Sequence, residues 1–398
     1  MADIKNYLKE KEKREQKQVS YKEKIRKHKL TTVYRVLLIV AVLMAVGALV
    51  MVQYKRHIYT GYDIVDSVER ETAEGAIDIP LKNSILTYSK DGAHCTDVKG
   101  NVNWNQTYEI QDIKLAISED VVAIGNYNGR DIYVQSTDKQ LGTITTTMPI
   151  RNLTVSSTGY VTAVLADTDV TWINTYNTEG ETIYTGQTHM HNSGYPIAIS
   201  LSPNGELLAV SYVYIDAGVL KTNIAFYNFG PVGANQSDYI VSAYTYQDLL
   251  VPEIHFMNNN VAFAVGDGRL MMYTGAQKPV TAAEYLYDEE VQAVYYNEEY
   301  VGLVFVSDNM DFQYRMDVYN TSAKKVGSYY FDMNYTNIFF EQNQFVVYNE
   351  TECIIMTFDN VEKYNGIFSK AVNLMLPTTS PYKYVLVTDT SIDTIQLK

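Results

Sequence analysis

Cysteine is nearly missing: Cys95 and Cys353 are the only two in 398 residues, far apart in the chain. A small secreted scaffold held by disulfides uses more of them at closer spacing, so that class is excluded. Whether these two pair is left open; a bond between them would join the beginning and end of the fold. Tryptophan is as rare (Trp104 and Trp172), and there is no Trp-Asp dipeptide. No Gly-x-Ser-x-Gly elbow, phosphate-binding loop or dinucleotide fingerprint occurs, which removes the sequence grounds for a serine hydrolase or a nucleotide enzyme. "GDGR" at Gly266–Arg269 reads instead as a hairpin turn, since Asp-Gly suits the primed turns. Helical periodicity of 3.6 residues is lacking throughout the larger part of the chain, which excludes a helical solenoid.

Charge is present but segregated. Residues 1–35 hold twelve Lys/Arg against five Asp/Glu, and the remainder holds twenty against forty-one. Between these lies "VLLIVAVLMAVGALVMV", Val36–Val52, with no charge. With its flanks it crosses ~30 Å of hydrocarbon at ~1.5 Å per residue. Arg35 stands at one edge, where its stem can snorkel, and Tyr34 and Tyr54 stand where interfacial aromatics belong. The basic side predicts a cytoplasmic N-terminus under the positive-inside rule. The expected layout is a basic cytoplasmic segment (1–32), a transmembrane signal anchor (33–54) in plasma-membrane lipid, a stalk (55–76) and an extracellular domain (77–398). The acidic outer portion disfavours nucleic acid as a partner.

Within the outer portion one unit recurs. "LSPNGELLAVSYV" (Leu201–Val213) has relatives in "AISEDVVAIGNYNG" from Ala116, "HFMNNNVAFAVGDG" from His255 and "VYYNEEYVGLVFVSD" from Val294. Each is an extended segment, a short polar turn and an apolar strand, at intervals of about 37 to 55 residues. A third strand follows, as in "DIYVQSTDKQLG" or "MDVYNTSAKKVG", then a more polar fourth such as "GTITTT" or "ETIYTG". Strands covered on both faces lose polar alternation, and an outermost strand keeps it. The fold expected is all-β: a seven- or eight-bladed β-propeller of four-stranded blades preceded by one transmembrane helix, with a two-layer sandwich as the alternative. The ring is expected to close by pairing Ala76–Leu81 with the C-terminal strands.

The "D-x-x-G-x-x-x-W" element formed by Asp97, Gly100 and Trp104 resembles the quinoprotein-type (PQQ-like) propeller repeat. Over its whole length, through "YSKDG", "KGNVNW" and "MPIRNL", the chain resembles an uncharacterised family of membrane-anchored propellers of anaerobic Gram-positive bacteria. That resemblance implies a fold and a topology. It does not carry quinone catalysis across, because adjacent cysteines and the tryptophan-rich docking motifs are lacking.

Chemistry is thinly signalled, and no catalytic or cofactor residues are assigned. The residues that could offer metal ligands are His189 and His191 in "THMHNSG", and Asp308 and Asp311 in "SDNMDF"; Asp167 and Asp169 form a similar pair. Neither acidic pair has the full spacing of a calcium loop. Thirty-five tyrosines are the compositional oddity. Most suit half-exposed strand positions, while "AEYLYDEEVQAVYY" and "SYYFDMNY" could form a platform for glycan or peptide. The expected function is a non-catalytic binding or scaffold module at the cell envelope with a protein or glycan ligand. An extracellular carboxylate-dependent hydrolase or lyase acting on a wall glycan, and an envelope sensor, are the alternatives.

Overall fold

The protein, described here from a computed structural model, is defined over residues 2–166, 170–188 and 194–398. It divides into two compact units, Met1–Ile58 and Tyr59–Lys398. The first unit is one helix, Ala2–Arg56. Its N-terminal half is built from Lys, Glu, Arg and Gln, which lose little rotamer freedom in a helix. Thr31 and Thr32 turn their hydroxyls back onto the carbonyls of Lys27 and His28 (2.7 and 2.9 Å), which hides two polar groups just before the apolar run. By length and composition this helix can cross a membrane, and no part of its most apolar window is buried.

The second unit contains eight antiparallel sheets of four strands each. In chain order, blades 1 to 7 cover 77–107, 113–145, 150–188, 195–247, 253–286, 291–331 and 337–367. The first strands of neighbouring blades touch, as in blades 2 and 3, 3 and 4, 4 and 5, and 8 and 1, so they line the axis. Each first strand has one edge without a sheet partner, and three carry proline there (Pro80, Pro196 and Pro377), where a missing N–H costs no ladder bond.

Second strands are apolar and buried along nearly their whole length, as in Val121–Asn126 and Val261–Gly266, whereas outermost strands such as Val102–Thr107 and Val280–Leu286 alternate. The apolar core follows from this. It consists of eight clusters, and each spans one junction between adjacent blades. No blade has a core of its own, so a sheet is stable only between two others. Cys95 lies in the cluster of blades 1 and 2 and Cys353 in that of blades 7 and 8. Both thiols are free, with blade 8 between them.

Blade 8 corrects the expected closure. Its sheet runs from Leu374–Pro377 through Lys383–Val387 and Ser391–Leu397 to Tyr62–Glu69. The residues expected to be a stalk therefore supply the outermost strand, paired from Tyr62↔Leu397 to Glu69↔Ser391. Ile77–Leu81 instead opens blade 1, pairing with Ser84–Ser89. The blade count is eight because the C-terminal three-stranded remnant and blade 1 are separate sheets, each completed by an N-terminal strand.

The turn between third and outermost strands repeats one device. Asp97 Oδ1 accepts from the N–H groups of Lys99 and Asn101, Asn177 Oδ1 from Glu179 and Glu181, and Asn320 Oδ1 from Ser322 and Lys324. In the "D-x-x-G-x-x-x-W" element, Asp97 thus folds the turn and Trp104 Nε1 donates to the Ser136 carbonyl of blade 2 (2.6 Å).

Candidate functional site: the groove between blades 3 and 4

The Trp104 contact is one of a series. An aromatic side chain of the outermost strand reaches the backbone of the next blade's final turn. Tyr244 donates to Pro279 O (3.0 Å), Tyr285 to Ala323 O (2.8 Å) and Tyr329 to Phe358 O (3.1 Å). Between blades 2 and 3 the backbones themselves meet: a Cβ on Gly142 would stand 1.9 Å from Thr178 O, so only glycine fits.

Among the described residues no such joint links blades 3 and 4. The candidate for it is Tyr184, in the outermost strand of blade 3 (Thr182–Thr188). Its hydroxyl lies over Gly186 of the same strand, 2.5 Å from where a Cβ would be. Its ring packs on Tyr227 (5.8 Å), Phe229 (5.1 Å) and Tyr239 (5.7 Å, edge-on). The turn it would have bonded is replaced by residues 229–239, "FGPVGANQSDY", against three to five residues at this position in blades 1–3 and 5–7. This insertion holds two short 3-10 turns, Gly233–Asn235 and Ser237–Tyr239. A Cβ on Gly233 would overlap Asn228 O, so the insertion is tightly folded against its own blade. At the other end of the blade, Leu207–Asp216 and Val219–Asn228 are ten residues long, against five to seven for most strands in the ring.

The result is an open groove of about 800 Å³. Tyr212 and Tyr227 lie buried in it, their hydroxyls bonded to each other at 2.7 Å. Tyr184, Tyr214 and Tyr239 stand around them with Thr185, Gln187, Thr188 and Asn223. Burial raises the pKa of Tyr184, Tyr212 and Tyr227, with their mutual proximity adding for Tyr184 and Tyr212, so all three hydroxyls keep their protons. Asn223 Oδ1 is buried and has no hydrogen-bond partner among the described residues. Asp238 and Tyr239 both adopt left-handed backbone, φ 58° and 63°. For a residue as bulky as tyrosine that conformation costs on the order of 1–3 kcal/mol, and such strain collects at functional sites.

Two other concavities are less complete. One, about 290 Å³, lies among first strands and is walled by Pro80, Val294, Phe339, Leu376 and Pro377, with few polar groups. Tyr296, beside it, contacts His255 Nδ1 at 3.0 Å, and burial lowers the His255 pKa to about 4. The other, about 260 Å³ between blades 5 and 6, includes Glu253, Asp267, Glu289 and Glu290. Glu289 is engaged by Arg315 at 2.9 Å, which holds its carboxyl below the usual range.

Of the residues singled out from sequence, Asp308 and Asp311 are described, and they do not line the groove. Asp308 and Asp311 lie on the turn joining Tyr300–Val306 to Tyr314–Asn320 in blade 6, and Asp308 Oδ1 is 3.6 Å from Arg315 Nη1. His189, His191, Asp167 and Asp169 lie outside the described residues. Among the described residues there is no group of three or more His, Cys, Asp or Glu placed to hold a metal. The two tyrosine-rich runs serve structure: Tyr285 and Tyr329 bond to the next blade, and Tyr287 donates to Gly266 O within blade 5 (2.7 Å). Sequence reasoning missed Tyr184, Tyr212, Tyr214, Asn223, Tyr227, Asp238 and Tyr239. The legible signal was the wide spacing of repeat units around blade 4 and the Gly-Pro-Val-Gly stretch of its insertion.

Among solved structures, the chain is similar to BamB from Moraxella catarrhalis, at 12% identity and TM-score 0.48, covering 85% of this chain and 98% of that one. It is also similar to Hsv2p from Kluyveromyces lactis, at 11% identity and TM-score 0.47, covering 74% and 97%. No curated protein matches it. Residues 54–397, the whole ring with its closing strand, match the model of a family of unknown function, DUF5711, and the chain belongs to that family.

Proposed function

We propose that this protein is a membrane-tethered propeller standing outside the cell, with a cytoplasmic N-terminus, which binds a component of the envelope in the groove between blades 3 and 4 without altering it chemically. The topology is supported by the uncharged run Val36–Val52, the basic segment before it and the acidic excess after it. The observation that carries the binding reading is the groove's composition. Among the described residues, its fifteen lining residues include five tyrosines, three uncharged polar side chains on one strand and an asparagine without a hydrogen-bond partner, but one carboxylate, Asp238, and no His, Cys, Lys or Arg. Glycoside hydrolysis by paired carboxylates needs a second acid facing the first, and general acid–base work needs a tuned partner. A rigid scaffold with one elaborated blade is the arrangement expected of a binding protein.

Both native thiols are buried, so single introduced cysteines report topology without background. Glu298→Cys should label with a membrane-impermeant maleimide on intact cells, and Lys13→Cys only after permeabilisation; the reverse pattern would overturn the topology. The full chain in nanodiscs should bind isolated envelope fragments saturably and release no soluble product from them. Release of soluble fragments would contradict the non-catalytic reading.

A further inference from the structure

We infer that the occupant of the groove is an uncharged oligosaccharide chain, held by the rings of Tyr184, Tyr214 and Tyr239 and by polar contacts from Gln187, Asn223 and Asp238. This rests on the binding reading above and names its ligand class. The seven residues of Thr182–Thr188 give the groove a wall ~20 Å long at ~3.3 Å per residue, which suits a chain rather than a compact metabolite. Tyrosine rings offer broad apolar faces with little rotamer entropy to lose, matching the C–H faces of sugar rings. A sugar hydroxyl both donates and accepts, and so do the tyrosine and threonine hydroxyls and the Gln187 and Asn223 amides, while the Asp238 carboxylate can accept from two hydroxyls at once. The buried Asn223 Oδ1 lacks a donor among the described residues, and a hydroxyl supplies one after a small swing of the amide.

The alternatives fit less well. An anionic polymer would meet no Lys or Arg among the described residues lining the groove, on a propeller rich in acids. A peptide joining the sheet would pair with the free backbone edge of Thr182–Thr188, leaving the hydroxyl and amide side chains of the facing blade unused. The Tyr239 strain also has a use here. The left-handed backbone sets the ring at the groove edge, where it meets Tyr184 edge-on and can also face a ligand.

The test uses the full chain in nanodiscs and envelope fragments prepared in three ways: untreated, protease-digested, and periodate-oxidised to open sugar rings. The expected result is binding that survives protease and about 1 M salt and is lost after periodate. Tyr239→Gly removes the ring and relieves the left-handed strain, because glycine takes that φ freely. That variant should melt within a few degrees of the parent, and both it and Tyr214→Ala should bind at least about tenfold more weakly. Binding that is protease-sensitive and periodate-resistant overturns the glycan assignment and leaves the binding-module reading standing. Glycan binding unchanged in both variants moves the site elsewhere and overturns this inference. No binding to any preparation overturns the binding module itself.

Discussion

Removing one guanidinium tests how the ring is locked. Arg70 directly follows the closing strand Tyr62–Glu69, and its N–H donates to Thr390 O at 3.0 Å. Its Nη2 lies 2.9 and 3.0 Å from the two oxygens of Asp78, in the first strand of blade 1. The Asp78 side chain is 0% exposed and that of Arg70 11%. Thr87 Oγ1 also donates to Asp78 (2.6 Å), and Asn373 Nδ2, from the loop entering blade 8, stands 3.4 Å away. The pair therefore ties three chain segments at the junction of the last and first blades. Arg70→Ala strands a carboxylate in a site water does not reach, with only the Thr87 hydroxyl and a long amide contact left to it. Breaking a buried pair from one side costs about 3–5 kcal/mol, whereas replacing both partners with apolar groups is often close to neutral. In urea unfolding followed by near-ultraviolet circular dichroism, Arg70→Ala should lose about that amount, and Arg70→Met with Asp78→Leu should recover at least ~2 kcal/mol of it. A loss under ~1 kcal/mol in the single variant, or additive losses in the double, would refute this account of the lock.

Acid should weaken the ring through His255. Burial lowers its pKa to about 4, against ~6.5 unfolded, so the unfolded chain binds more protons between those values. Its contribution is fully present above about pH 6.5 and is lost as the pH falls toward 4, by up to ~3 kcal/mol. His94, lowered by burial and by Arg70, acts with the same sign. Midpoints of chemical unfolding measured from pH 7.5 to 4 should fall less steeply in His255→Gln than in the parent, and identical slopes would sink the assignment. The thiols give a simpler readout. Burial pushes Cys95 up to about 11 and Cys353 up to about 12, so Ellman's reagent should titrate no thiol in the native chain and two in denaturant; a count of none in denaturant would mean that they pair.

The architecture could be read from the sequence because burial sets it. Doubly covered strands such as Val261–Gly266 cannot alternate, and outermost ones such as Thr182–Thr188 must. The closing strand escaped for the same reason. Tyr62–Glu69 is exposed at most of its positions, so its residues carry no apolar pattern, and its partner lies more than three hundred residues away. Ile77–Leu81, expected to close the ring, carries Pro80, which an outer edge would also accept; it stands at the inner edge of blade 1 instead. The groove was harder still. A tyrosine that bonds the next blade, such as Tyr329, and one that walls an open groove, such as Tyr184, have the same local sequence setting, an outer strand with a glycine two residues away. The difference lies in the length of the next blade's turn, which is a property of another repeat.

Everything proposed for the groove depends on a closed ring in which each junction has fixed neighbours, and the closing pair is its most direct test. Asp63 and Gln396 face each other across the last seam. With both changed to cysteine, oxidation of the folded chain should join them, and peptide mapping without reductant should recover residue 63 linked to residue 396. A chain that keeps its native circular dichroism with both introduced thiols free after oxidation would contradict the closure.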